Sequence, residues 1–292
     1  MTGNDLIIRA VGMREIRQRM PGRASLLRRA HRQALGYLGT CLDNLHQAHP
    51  VEHMAVQTRE ILCDFFGVAA PDEALLQRVR KPVEKILSMM ASPTYSPASS
   101  QRYILASNIG NYAGIAFTSP HDPLKQIFIL DSYFDYSFID KFDFKPDFSW
   151  READAIGRAN CLIHEFSHIA YDTRDMRYIE ASAPFADQLM PGDRHDWLKR
   201  QHDEMFTHRA PARRLFMVHS RDGGRRDITR DDNKGLSIIR KLAGTDDLAL
   251  ARERFLNDAQ VRSSIMLKNA DSLTLLIYRL GQASHSAAPV QA

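Results

Sequence analysis

With 292 residues, 44% hydrophobic and 25% charged, the chain can bury a sizeable core as one large domain or two small ones, which excludes a disordered or low-complexity protein. A net charge of +4 is too mild to require nucleic acid or a membrane surface, and with no long apolar run, neither a transmembrane helix nor a signal peptide is expected. Three cysteines, Cys41, Cys63 and Cys161, exclude a disulfide scaffold and point to a reducing compartment.

Eight arginines fall between Arg9 and Arg32. Such a run reads first as a solvated helix face, with an acidic surface, an anionic membrane or a transit segment as its other uses. No aromatic residue interleaves them before Tyr37, which argues against stacked nucleic-acid bases. From Ser25 to about Met90 apolar residues recur at helical spacing. One helix carries Leu27, Ala34, Leu38 and Cys41. A second, around Ile61 and Phe65, stops at Gly67, and a third opens at Pro71-Asp72. These predict an N-terminal α-helical lobe over residues 1–91. Its His31, His46, His49 and His53 lack companion ligands.

Ser92-Pro93-Thr94-Tyr95-Ser96-Pro97-Ala98-Ser99-Ser100 has the composition of a linker. Strands are predicted at Tyr103–Ala106, Ile115–Thr118 and Ile127–Leu130, the last expected at the sheet edge, where an extended substrate would pair. The aromatic run Tyr133 to Phe138 suits either core packing or a substrate pocket. A second domain is expected over 101–282, with a flexible tail at 283–292. Within it, 181–268 reads as a long insertion rich in surface loops, whose His195, His202 and His208 match no ligand spacing.

The chemistry concentrates in Asn160-Cys161-Leu162-Ile163-His164-Glu165-Phe166-Ser167-His168. Ile156, Ala159, Leu162, Ile163, Phe166 and Ile169 trace one face of a helix. His164 and His168 are four residues apart, so a helical turn stacks both imidazoles on the same side. That suits two ligands of Zn²⁺, with Glu165 beside them able to take a proton from a metal-acidified water. The plain alternative is a helix with two surface histidines flanking a solvated glutamate. A third ligand must come from a chain that turns back after His168, and Asp172, Asp175 and Glu180 are the carboxylates within reach.

Thr173-x-Asp175-x-x-Tyr178 resembles the Gly-Thr-x-Asp-x-x-Tyr-Gly signature of the aspzincins, the deuterolysin and peptidyl-lysine metalloendopeptidase family. Asn269-Ala270-Asp271-Ser272 resembles the segment that closes the aspzincin site. The resemblance implies an α+β zincin-like fold with a small sheet beside the ligand helix. It implies Zn²⁺ on His164, His168 and Asp175, Glu165 as general base and Tyr178 as oxyanion partner. It also implies Asp271 and Thr274 as substrate-binding positions on a helix stopped by Gly281. The signature's two glycines are Asp172 and Ile179 here, so the turn is expected to differ locally. The second acidic pocket residue is replaced by Thr274, so strict lysine specificity is not expected. For Asp271 alone the plain reading is a helix N-cap.

The expected function is therefore zinc-dependent endoproteolysis of a protein or peptide substrate. The absence of the disulfides and signal peptide common among aspzincins suits a toxin or effector translocated into another cell. The contrasting expectation is a basic binding module for membrane or nucleic acid with a structural or inactive zinc. A zinc hydrolase of a non-peptide amide has the same motif geometry.

Overall fold

A computed structural model describes residues 6–48, 51–108, 115–119, 122–135, 150–175, 217–219, 225–227 and 233–283. Strand β1 (Leu6–Val11) leads into helices α1 (Gly12–Arg19), α2 (Pro21–Gln47), α3 (Val56–Phe66) and α4 (Glu73–Ala91). Strands β2 (Tyr103–Asn108), β3 (Ala116–Thr118) and β4 (Ile127–Leu130) follow, then α5 (Asp131–Asp135) and α6 (Trp150–Tyr171). The antiparallel pair β5 (Met217–His219) and β6 (Arg225–Asp227) precedes α7 (Asn233–Ala243), α8 (Leu248–Asn257), α9 (Ala259–Lys268) and α10 (Ala270–Gln282). The class is α+β, dominated by helix.

Local chemistry explains the helix ends. Proline at the first turn of α2 costs no hydrogen bond, because that N–H has no helical partner. Helix α3 stops where Gly67 turns left-handed at φ +60°, with the Val68 N–H donating to the Cys63 carbonyl at 3.1 Å. Asp72 caps α4 by accepting from the Leu75 N–H at 2.7 Å.

The four-stranded sheet has the order β1-β2-β4-β3, with β2 and β4 parallel and both outer pairs antiparallel. Two expectations change here. The arginine-bearing start of the chain contributes an edge strand, because Leu6-Ile7-Ile8 favours extended backbone. Ile127–Leu130 is an inner strand rather than the sheet edge: its unbroken apolar run suits pairing on both sides. The edge beside the ligand helix is β3, which packs on α6.

One apolar cluster runs through the described residues, so the helices expected as a separate N-terminal lobe belong to the same core as the rest. Helix α2 packs on α4, α6 and α10 together. Its Leu27, Ala34, Leu38 and Cys41 meet a core shared with Leu162, Phe166, Leu273 and Leu276. The stretch 92–100 is not a free linker either, since Tyr95 and Ser100 are buried and Ser100 Oγ donates to the Thr94 carbonyl at 2.6 Å. The described residues of the predicted loop insertion are mostly helical, over α7 to α9, where Asp247 and Asp258 cap two of the helices. Its His195, His202 and His208 lie outside the described residues. The predicted stop at Gly281 is instead a point of close approach: a Cβ there would meet the Tyr37 carbonyl oxygen at 2.7 Å. Ala283, expected to begin the tail, is buried at the end of α10.

Candidate metal centre

Helix α6 buries Ala159, Leu162, Ile163 and Phe166 and turns His164 and His168 to its other side, where their ring centroids lie 4.8 Å apart. It ends at Tyr171 because Asp172 takes a left-handed backbone with φ +56°. Asp172 stands where the signature has its first glycine, so the turn keeps a geometry that glycine would favour and that Asp tolerates better than most residues. The Lys268 ammonium donates to the Tyr171 carbonyl and covers the helix end.

The returning chain is then clamped from two sides. Thr173, fully buried, shares a 2.6 Å hydrogen bond between its hydroxyl and Ser167 Oγ. Arg174 makes a parallel bridge with Asn269: its N–H donates to the Lys268 carbonyl at 2.8 Å, and the Ala270 N–H donates to the Arg174 carbonyl at 3.0 Å. The two motifs, nearly a hundred residues apart, are thus stitched together by backbone. Asp175 is delivered to the histidines on one side of the stitch, and Asp271 follows on the other.

Asp175 Oδ1 lies 3.0 Å from His164 Nε2 and 3.2 Å from His168 Nε2. Behind the ligands, His164 Nδ1 sits 2.7 Å from Asp271 Oδ1, and His168 Nδ1 sits 3.0 Å from the Thr173 carbonyl. Both acceptors require Nδ1 to carry hydrogen, which leaves a lone pair on each Nε2 in the neutral imidazoles. Two lone pairs therefore face a carboxylate oxygen at hydrogen-bond distance, an arrangement that is repulsive until a cation or a proton comes between them. Tetrahedral zinc with nitrogen and oxygen ligands sets neighbouring ligand atoms about 3.3 Å apart, close to the two distances here. The three candidate ligand atoms all lie within 4.8 Å of one another. The donor set fits zinc.

The charges agree with this geometry. Burial opposes ionisation of Asp175, yet the contacts with the His164 and His168 rings hold its carboxyl well below the usual carboxylate range. Burial also opposes charge on His164, and the contacts with Asp175 and Asp271 overcome it, raising that imidazole well above its ordinary value.

Glu165 is 5% exposed, and its Oε2 has no hydrogen-bond partner among the described residues. Burial raises its pKa; His164 and His168 pull it down, and the Thr118 side chain on β3 also favours the charged form. The carboxylate is thus held out of bulk solvent beside the two imidazoles.

Asp172, considered as a ligand, points outward, with its side chain 70% exposed and paired to Arg174 at 2.6 Å. Glu180 and Tyr178 lie outside the described residues. Asp271, expected to bind substrate, lies behind His164 instead. Thr274, one turn along α10, is buried, with its hydroxyl unpartnered among the described residues, and does not join the ligand cluster. Tyr133 and Phe134 are core residues, and 136–138 lie outside the described residues. Burial pushes the Cys161 thiol well above its ordinary pKa, which makes it a poor nucleophile. The sequence reading missed the supports Ser167, Thr173 and Asn269; only their places within the two motifs pointed to them. Set against models of protein families, curated proteins and solved structures, the chain matches none.

Proposed function

We propose that this protein is a zinc-dependent metalloendopeptidase of aspzincin type, built on a zincin-like fold. The observation that carries the reading is the convergence of His164 Nε2, His168 Nε2 and an Asp175 oxygen on one point, with both Nδ1 atoms held from behind. Among the described residues the cluster has three protein ligands, which leaves a coordination position open, whereas the alternative of a structural zinc needs four.

Zinc bound there supplies a Lewis acid that acidifies water and polarises the scissile carbonyl. Glu165 takes the proton from the attacking water and returns it to the leaving amine. A pKa raised by burial makes this carboxylate a stronger base than a solvated one. Asp271 fixes the His164 ring, and Tyr178 is assigned to the oxyanion. The reading takes an extended peptide as substrate, laid along β3, the last strand in the sheet order, beside Glu165 through Thr118. All three cysteines are free, in keeping with a protease that works in a reducing compartment, such as an effector delivered into another cell. No helix among the described residues is long and apolar enough to cross a membrane.

The test is metal content together with proteolysis. About one zinc per chain is expected, lost in His164→Ala and in His168→Ala. Glu165→Gln should keep zinc and fold but lose roughly a hundred- to ten-thousandfold in cleavage of an unfolded protein. Stoichiometric zinc in both histidine variants would overturn the assignment.

A further inference from the structure

Cations gather around the C-terminal end of α6. Lys268 Nζ lies 4.1 Å from the centroid of the Tyr171 ring, and Lys85 Nζ lies 5.7 Å from the same centroid. Lys268 has a structural task, since its ammonium caps the Tyr171 carbonyl. Lys85 has no such bond. It stands instead beside an open groove of about 710 Å³ between α4, the turn Pro93–Tyr95, the loop before β4 and Ala170 of α6.

Arg102 and Lys125 share this wall with Lys85. Among the described residues no carboxylate pairs with any of the three. Glu84, the acid on the wall, lies 4.0 Å from His46. Asp122, beside the loop, accepts from the N–H groups of Leu124 at 2.8 Å and Gln126 at 2.7 Å. Lys125 is itself held in a left-handed backbone at φ +50°, its carbonyl accepting from the Tyr95 hydroxyl at 2.9 Å. A lysine in that conformation is strained, and such strain persists where the surroundings enforce it. Apolar Met89, Pro123 and Leu124, the last 50% exposed, line the groove beside the cations.

We infer that this groove binds an acidic stretch of polypeptide carrying an apolar side chain, and that it serves as a substrate exosite for the peptidase reading above. Unpaired cations call for an anion. An inorganic anion would make no use of the apolar lining, whereas a peptide segment carrying carboxylates and an aliphatic side chain uses the cations and their apolar neighbours together. Nucleic acid is the weaker fit, because Tyr95 is buried and Tyr171 is covered by Lys268. The inference rests on the peptidase reading only in calling the ligand a substrate.

The experiment uses the full chain carrying Glu165→Gln, so that the probe is not cut, and measures fluorescence anisotropy of a labelled Glu/Leu peptide against a Gln/Leu peptide of equal length. The acidic peptide should bind at least tenfold more tightly, with an affinity that falls steeply with salt. Lys85→Glu with Lys125→Glu, both on exposed side chains, should remove most of that preference while circular dichroism and melting stay unchanged. The milder Lys85→Gln with Lys125→Gln, which adds no new charge, should reduce it. Equal binding of the two peptides would overturn the inference. So would an affinity indifferent to both pairs of substitutions, or full displacement by millimolar phosphate, which would mark a small-anion site. Zinc-loaded wild type given the same peptides separates the two readings. Binding without cleavage sinks the peptidase and spares the groove; cleavage with no advantage from the acidic stretch sinks the groove and spares the peptidase.

Discussion

Asp271 changes meaning between the chain and the folded molecule. As a pocket residue it would affect which substrate is cut; at 2.7 Å from His164 Nδ1 it would affect how well the proposed zinc is held. Asp271→Ala should weaken zinc affinity about 10- to 100-fold, measured by competition with a chromophoric chelator, with Asp271→Asn in between because its amide oxygen still accepts from Nδ1. An unchanged zinc affinity with altered preference for basic side chains would return the residue to the pocket. His31 is a second informative residue. Its Nε2 lies 3.1 Å from the Met90 carbonyl and its Nδ1 2.7 Å from the Tyr103 hydroxyl, the pattern of a neutral ring donating to the first and accepting from the second. Burial lowers its pKa to about 4, against the opposing effect of the Met90 carbonyl. Between that value and the unfolded value of about 6.5 the unfolded chain binds more protons. Stability from this site is therefore complete above about pH 6.5 and lost as pH falls toward about 4, by up to about 3 kcal/mol. Urea unfolding across this range should show the slope in wild type and a shallower one in His31→Asn.

At the scale of elements, the contact of α2 with α10 depends on the absence of a side chain at Gly281. A Cβ there would lie 2.7 Å from the Tyr37 carbonyl oxygen and 2.9 Å from its Cα, both backbone atoms that cannot swing away. Gly281→Ala should cost about 1–3 kcal/mol, read as a lower melting temperature, even though alanine is the better helix former. A stabilised variant would mean that the two helices can part without loss. The helix starts are simpler. Asp72→Ala removes the cap on the Leu75 N–H and should cost about 1 kcal/mol.

For the whole molecule, the decisive feature is that a single core includes α2, α4, α6 and α10. A fragment beginning after residue 91 would leave the buried faces of α6 and α10 bare. Such a fragment should fail to fold, giving a poorly dispersed amide spectrum and no zinc binding, while the full chain unfolds in one transition. An independently folded, zinc-binding fragment would restore the two-domain picture.

The helices α2, α3 and α4, the three strands after residue 100 and the ligand helix were legible because apolar spacing, Gly67 and Asp72 are local signals. His164, Glu165 and His168 were legible for the same reason, since four residues of helix bring two imidazoles together whatever surrounds them. Asp175 was one of three candidates in the chain; what distinguishes it is the Arg174–Asn269 bridge, a pairing across nearly a hundred residues that no local pattern encodes. The edge position of β3 and the strand at Leu6–Val11 were hidden because strand order depends on partners distant in sequence. The roles of Gly281 and Asp271 likewise came only from what packs against them. Spacing along the chain determines which side chains can act together on one helix, and the packing of distant segments decides which third group reaches them and what stands behind.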